Sequence, residues 1–271
     1  MKRKISIPMT IIDAYQRKKL VLFIGAGLSA MCGIPPWKGL TLRLINECKN
    51  HGCKKTDERW LRQHWKSRDY AEIAERCYKL LPRDSYITVL TKACGEFRDF
   101  SKAHKVIPSL SLPFIITTNF DRILENTFVK IKKASVPVFT YSPDEITSAI
   151  NQNDIFIFKI HGDINRPDSL ILTRSQYDRI IEGNGPLEVW LNTVFFGYTL
   201  LFVGYSMSDP DINYFFGLLK RKLGKYTRAH FAITSNPWTK DKQNLAKRFN
   251  ITFLQVKQNS IHKFLKQLKI S

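Results

Sequence analysis

The chain has 271 residues, 44% of them hydrophobic, enough for one sizeable α/β core and ordinary for a packed globule. Forty-three Lys and Arg against 23 Asp and Glu give a formal charge of +20, a balance that favours a polyanionic partner: nucleic acid, an acidic protein or a phosphate-bearing ligand. Five cysteines, odd in number and without a C-x-x-C pair, argue against a disulfide framework and fit a reducing compartment, so a cytoplasmic location is expected.

The opening, MKRKISIPMTIIDAYQRKKL, is basic, but polar residues interrupt every apolar run, so neither a signal-peptide core nor a membrane span is expected. Residues 5–19 predict a short amphipathic helix presenting Ile11, Ile12 and Tyr15. Leu20 to Ile24 then read as a buried strand that stops at Gly25-Ala26-Gly27. With Ala30 in the third small position, these residues fit G-x-G-x-x-G/A, in which a backbone without Cβ atoms approaches a pyrophosphate and the free N–H groups of a helix start face it. A tight packing turn is the alternative reading. The second strand ending in an acid that a dehydrogenase half carries about 20 residues later has no counterpart, since residues 46–55, NECKNHGCKK, are no strand.

From Leu40 to about Leu112 the pattern is helical. Tyr70, Ile73, Ala74, Cys77, Tyr78 and Leu81 recur at helical spacing and stop at Pro82, after which Asp84 is expected to cap a helix that Gly95 ends. Roughly residues 45–100 are expected to be a helical module inserted after the first strand of a single domain spanning 1–271, covering a cleft. His51, His64 and His104 in this stretch read as surface or packing residues.

Short apolar runs at 113–118, 155–160, 199–204, 229–234 and 251–256, separated by helix-like stretches, predict a Rossmann-like, doubly wound, mainly parallel sheet. Ligands of such sheets bind beyond the carboxyl ends of the strands. Asn119 stands there, either as a turn residue or as an amide that fixes a hydroxyl and a water together. Asp121 is placed to cap a helix over Arg122 to Lys130. His161 follows a strand and precedes a glycine, and imidazole is suited to general-base work near neutral pH. From Lys220 to Ser271 thirteen Lys or Arg face one acid, Asp241; this reads as a solvated basic face or as a contact for nucleic acid or a protein partner.

The motifs resemble, in order, those of the sirtuin family of NAD-consuming enzymes. Gly25-Ala26-Gly27-Leu28-Ser29 and Gly33-Ile34-Pro35-Pro36-Trp37-Lys38-Gly39 resemble its opening signature; Thr118-Asn119-Phe120-Asp121 resembles its T-Q-N-I-D. Lys159-Ile160-His161-Gly162-Asp163 looks like its catalytic His-Gly, and Gly204-Tyr205-Ser206 stands where the family has a Gly-Thr-Ser ribose loop. The likeness covers nearly the whole chain. It implies NAD as substrate and Asn119, His161 and Asp121 as catalytic residues, Asp121 by holding the nicotinamide carboxamide. It also implies that Gly25, Ala26, Gly27, Ser29, Trp37, Thr118, Gly204, Ser206, Ser235 and Asn236 bind the rest of the dinucleotide.

Two departures sharpen the expectation. Pro36-Trp37-Lys38 replace the family's usual Asp-Phe-Arg, and all five cysteines precede His161, whereas eukaryotic-type members carry a four-cysteine zinc ribbon after it; no zinc or other metal site is expected. The chain thus looks like the zinc-less prokaryotic branch associated with anti-phage defence. The resemblance implies an NAD glycohydrolase that depletes NAD, with a protein deacylase or ADP-ribosyltransferase, and a non-catalytic NAD- or nucleic-acid-binding subunit, as alternatives. It further implies a homo-oligomer controlled by a separately encoded sensor, such as an ATPase, a helicase or an argonaute-like protein.

Overall fold

The computed structural model describes residues 6–183, 185–205, 228–235, 243–244, 247 and 249–270. Among these residues seven strands form one sheet: β1 (Leu20–Ile24), β2 (Phe114–Thr117), β3 (Val138–Thr140), β4 (Phe156–Lys159), β5 (Thr199–Val203), β6 (His230–Thr234) and β7 (Ile251–Gln255), in the spatial order β3-β4-β2-β1-β5-β6-β7, every pairing parallel. This is the expected doubly wound, Rossmann-like fold. β1 is buried throughout because helices cover both sheet faces, which is why it reads as a continuous apolar run. Its alternate residues serve two cores: Leu20, Leu22 and Ile24 join one apolar cluster, Val21 and Phe23 the other.

The first cluster is closed by α1 (Met9–Gln16), α7 (Lys102–Val106) and the C-terminal helix α12 (Ile261–Leu268), through Ile11, Val106, Phe264 and Leu268. The second is closed by α9 (Pro143–Ile150) and α11 (Gly185–Gly197), the latter after α10 (Arg174–Gly183); Trp190 of α11 stacks on Phe158 at 4.1 Å. α1 lies within the expected first helix but is shorter than 5–19, and of the three residues expected to pack, Ile11 is buried while Ile12 and Tyr15 are half-buried. The edge strand β3 was not expected: it is three residues long, follows Pro137, and presents two half-buried residues, so it carries too little apolar run to announce itself.

Between β1 and β2 lie α2 (Ala26–Ala30), α3 (Trp37–Asn50), α4 (Lys55–Ser67), α5 (Tyr70–Leu80) and α6 (Arg83–Gly95), then α7. Helices α3 to α6 share a third apolar cluster that includes Leu44, Cys48, Leu61, Ile73, Cys77 and Leu90. Ile164, Leu170 and Leu172, from the segment after β4, complete it. These helices therefore stand over the carboxyl edge of the sheet. α6 starts two residues earlier than expected, with Pro82 rather than Asp84 at its N-cap; Asp84 lies in the first turn, where its charge still meets the helix dipole. Among the described residues no helix is long and apolar enough to cross a membrane.

Candidate functional site

The four motif-bearing loops leave the carboxyl ends of β1, β2, β4 and β5, which are adjacent in the order β4-β2-β1-β5. Between β1 and β5 the connectivity reverses, the position at which open α/β sheets form a ligand crevice. Ser29, Thr118, Asn119, Asp121 and His161 are thereby brought to one edge although they lie up to 132 positions apart in sequence.

The Gly25-Ala26-Gly27 turn does something other than leave its N–H groups to an anion. Gly25 N–H donates to Val203 O at 3.0 Å and Gly27 N–H to Gly204 O at 2.7 Å, so two of those groups tie the β1 loop to the β5 loop. A Cβ on Gly27 would stand 2.6 Å from Gly204 O, and Gly204 itself has φ 71, in the left-handed region. The glycines thus allow two backbones to touch, and of the N–H groups expected to be free at the helix start, that of Gly27 is already engaged. Gly27→Ala must force these loops apart and is expected to cost about 1–3 kcal/mol, read as a lower denaturant midpoint. An unchanged midpoint would show that the loops can separate without cost.

Asn119 sits where β1 and β2 deliver their loops. Its backbone N–H donates to Thr117 Oγ1 at 3.0 Å, and Thr117 Oγ1 donates to Ile24 O at 2.9 Å, which locks the turn. Its side-chain Nδ2 donates to Ser29 Oγ at 2.8 Å and Gly25 O at 3.2 Å. The amide is buried, and its Oδ1 meets no donor among the described residues. Thr118 is half-buried beside it, with its N–H on Ile24 O at 3.3 Å.

His161 is buried between Tyr177, whose ring meets it edge-on at 5.2 Å, and the Thr118 backbone, to which it hydrogen-bonds. Burial pushes its pKa down to about 3, against the opposing effect of the Thr118 bond, so the ring is neutral at physiological pH. Its carbonyl accepts from Ile171 N–H at 3.1 Å. Gly162 turns the chain at φ 82, where a Cβ would collide with the Ser169 carbonyl, so only glycine can follow the histidine here.

Asp121 Oδ1 accepts from Ile123 N–H at 3.0 Å, the bond of a residue capping helix α8 (Ile123–Lys132). Trp37 opens α3 and, like Phe120, packs against the margin of the helical cluster. Ser235 is exposed just past β6. Ser206 and Asn236 lie outside the described residues, as does most of the basic segment after Lys220. All five cysteines are free thiols, and among the described residues no cluster of three or more His, Cys, Asp or Glu could hold a metal ion.

One group at this edge was missed from sequence. Lys159, 1% exposed, donates through Nζ to Asp121 O at 2.6 Å, Phe120 O at 3.3 Å, Glu125 Oε1 at 2.8 Å and Asp163 Oδ2 at 3.2 Å. Asp163 is paired as well with Arg122 Nη1 at 2.8 Å. Burial raises the Glu125 pKa while Lys159 lowers it, and the net shift is upward. Burial also works to raise Asp163, but Lys159, the Asn165 N–H and Arg122 outweigh it and hold it below the usual carboxylate range. The available signal was a lysine inside the otherwise apolar run Phe156-Ile157-Phe158-Lys159-Ile160.

A family model described as SIR2-like domain matches residues 113–254, a little over half of the chain, and the chain belongs to this family. Among relatives, the NAD(+) hydrolase ThsA of Cytobacillus dafuensis is 26% identical over 222 residues, covering 82% of this chain and 42% of that protein. The NAD(+) hydrolase ThsA of Acinetobacter baumannii is 26% identical over 223 residues, covering 82% and 44%. Defense-associated sirtuin 2 of Bacillus subtilis is 21% identical over 230 residues, covering 84% and 22%. The chain thus spans less than half the length of these relatives.

Proposed function

We propose that this chain hydrolyses NAD to nicotinamide and ADP-ribose, as an NAD-depleting effector of bacterial defence. The observation that carries the reading is Asn119, a buried amide whose Nδ2 is committed to Ser29 and Gly25 while its Oδ1 is left to accept. An acceptor held so rigidly suits a ribose hydroxyl or an attacking water. The names of the two ThsA relatives and of the Bacillus subtilis protein support the activity and the defence role.

The chemistry asks little of the protein beyond position. Nicotinamide leaves as a neutral molecule, so its departure needs no general acid; the ribose carbon becomes oxocarbenium-like, water adds to it, and one proton is released. His161, neutral at physiological pH, acts on that water or on a ribose hydroxyl, and its low basicity places proton transfer late, once positive charge has built on the ribose. Asp121 would meet the carboxamide with the oxygen not used for capping, and Gly25 to Ser29, Trp37, Thr118 and the loops at Gly204 and Ser235 would line the dinucleotide. Restraint by self-assembly and by a separately encoded sensor belongs to the same proposal through the family resemblance; the thirteen-to-one charge imbalance supports only a contact surface after Lys220 for that sensor or for nucleic acid.

Purified protein, alone or with its activator, is expected to convert NAD to ADP-ribose and nicotinamide. Asn119→Ala and His161→Ala should each lower turnover by about a hundredfold or more with the far-UV circular dichroism unchanged. Turnover retained in both variants would overturn the site assignment.

A further inference from the structure

Lys159 ends β4, two residues before His161, and its ammonium is sealed from solvent. A charge in such a place persists only when its surroundings satisfy it. The oxygens around Nζ come from both sides of the site: the carbonyls of Phe120 and Asp121 belong to the loop carrying Asn119, and Asp163 belongs to the loop carrying His161. Glu125, in the first turn of α8, supplies the balancing carboxylate.

Two of these four acceptors have other support. Phe120 O accepts from Ile164 N–H at 2.9 Å. Asp163 keeps Arg122 on Oδ2 at 2.8 Å and Asn165 N–H on Oδ1 at 2.9 Å. For the Asp121 carbonyl, no other donor is found among the described residues. Between Asn119, held by Thr117, and the cap at Ile123, the Asp121 carbonyl is thus the one acceptor that this ammonium alone satisfies among the described residues.

Resting on the NAD-hydrolysing reading above, we propose that Lys159 is a positioning residue: one buried ammonium joins the two loops and sets the spacing between Asn119 and His161. It touches no substrate. It acts by holding the Asn119 amide against Ser29 and Gly25 at the distance from His161 that the reaction requires.

The test uses Lys159→Met combined with Glu125→Leu, which removes the buried charges together and leaves Asp163 paired with Arg122. The double variant should melt above Lys159→Met alone, because no carboxylate is left stranded, whereas kcat for NAD should fall by about tenfold or more with KM changed by less than about threefold. Backbone amide exchange at Asn119 and Ile123 should quicken by about tenfold, while Leu22 and Ile157 in the sheet keep their protection. If the double variant fails to fold, Lys159→Gln, which keeps an amide NH2 and no charge, is read the same way. A folded variant with wild-type exchange at Asn119 and Ile123 would overturn the proposal. The exchange measurement stands even if the wild-type protein leaves NAD intact, an outcome that would sink the NAD reading and not this one; exchange quickened with kcat unchanged would limit Lys159 to a structural role and equally overturn it.

Discussion

Lowering the pH from 7 to about 4.5 is expected to unfold this protein, because three histidines are buried in their neutral form. Burial pushes His104 and His230 down to about 4 and His161 down to about 3. Packing explains why the first two resist protonation. Leu200 N–H donates to His230 Nδ1 at 3.2 Å, while His104 Nδ1 faces Ser101 Oγ at 2.8 Å and Cys32 Sγ at 3.3 Å; the Nε2 atoms of both rings are buried with no partner among the described residues. In the unfolded chain each ring takes its proton near pH 6.5; in the folded protein it does so only near 3 or 4. Over the interval between, the unfolded state binds more protons, so stability is fully present above about 6.5 and is lost as pH falls toward the folded values. Each ring contributes a slope of about 1.4 kcal/mol per pH unit, about 4 kcal/mol per unit for the three, against a typical total of about 5–15 kcal/mol. Urea midpoints at pH 7, 6 and 5 check this, and His230→Asn should remove about a third of the slope. A midpoint constant from pH 7 to 5 would mean that the rings titrate inside the folded protein.

Replacing Lys159 alone by Met is expected to cost about 3–5 kcal/mol at pH 7.5, the loss that follows when one partner of a buried ion pair is removed. Glu125 is then a buried carboxylate facing an apolar side chain, since its other oxygen, Oε2, already lacks a partner among the described residues. The pH dependence of this loss is distinctive. Wild-type Glu125 is already raised by burial, with Lys159 opposing; without the lysine its folded pKa rises further. The unfolded carboxyl keeps its ordinary value, so the variant binds more protons when folded, and its deficit against wild type should shrink as the pH is lowered toward 5. Chemical denaturation of both proteins at pH 8 and pH 5.5 decides the matter; an equal deficit at the two pH values would show that Glu125 is not the group left stranded.

Much of the sheet was legible because its strands are buried on both faces. Runs such as Leu20 to Ile24 and Thr199 to Val203 need no alternation, and each is bounded by residues that cannot continue it. Gly27 was legible as a residue that must lack a side chain. Its partner was not: the backbone pressed against it belongs to Gly204, 177 positions away, and local sequence carries no record of which chain segment will lie alongside. Asp121 had two readings in the sequence; the structure displays the capping bond to Ile123, while a contact to nicotinamide belongs to the proposal above.

By itself, the sequence determined that the chain would form a parallel, helix-covered sheet and that Gly25 to Ser29, Asn119 and His161 would follow strand ends. These are consequences of apolar period and of turn chemistry, both of which act over a few residues. Only the tertiary structure decided the strand order β4-β2-β1-β5 that makes those ends neighbours, the neutral state of His161, and the buried ammonium of Lys159 joining its two flanking loops. The physical reason is common to all three. Desolvation and ion pairing depend on which groups exclude water from one another, and that is settled by the packing of segments far apart in the chain.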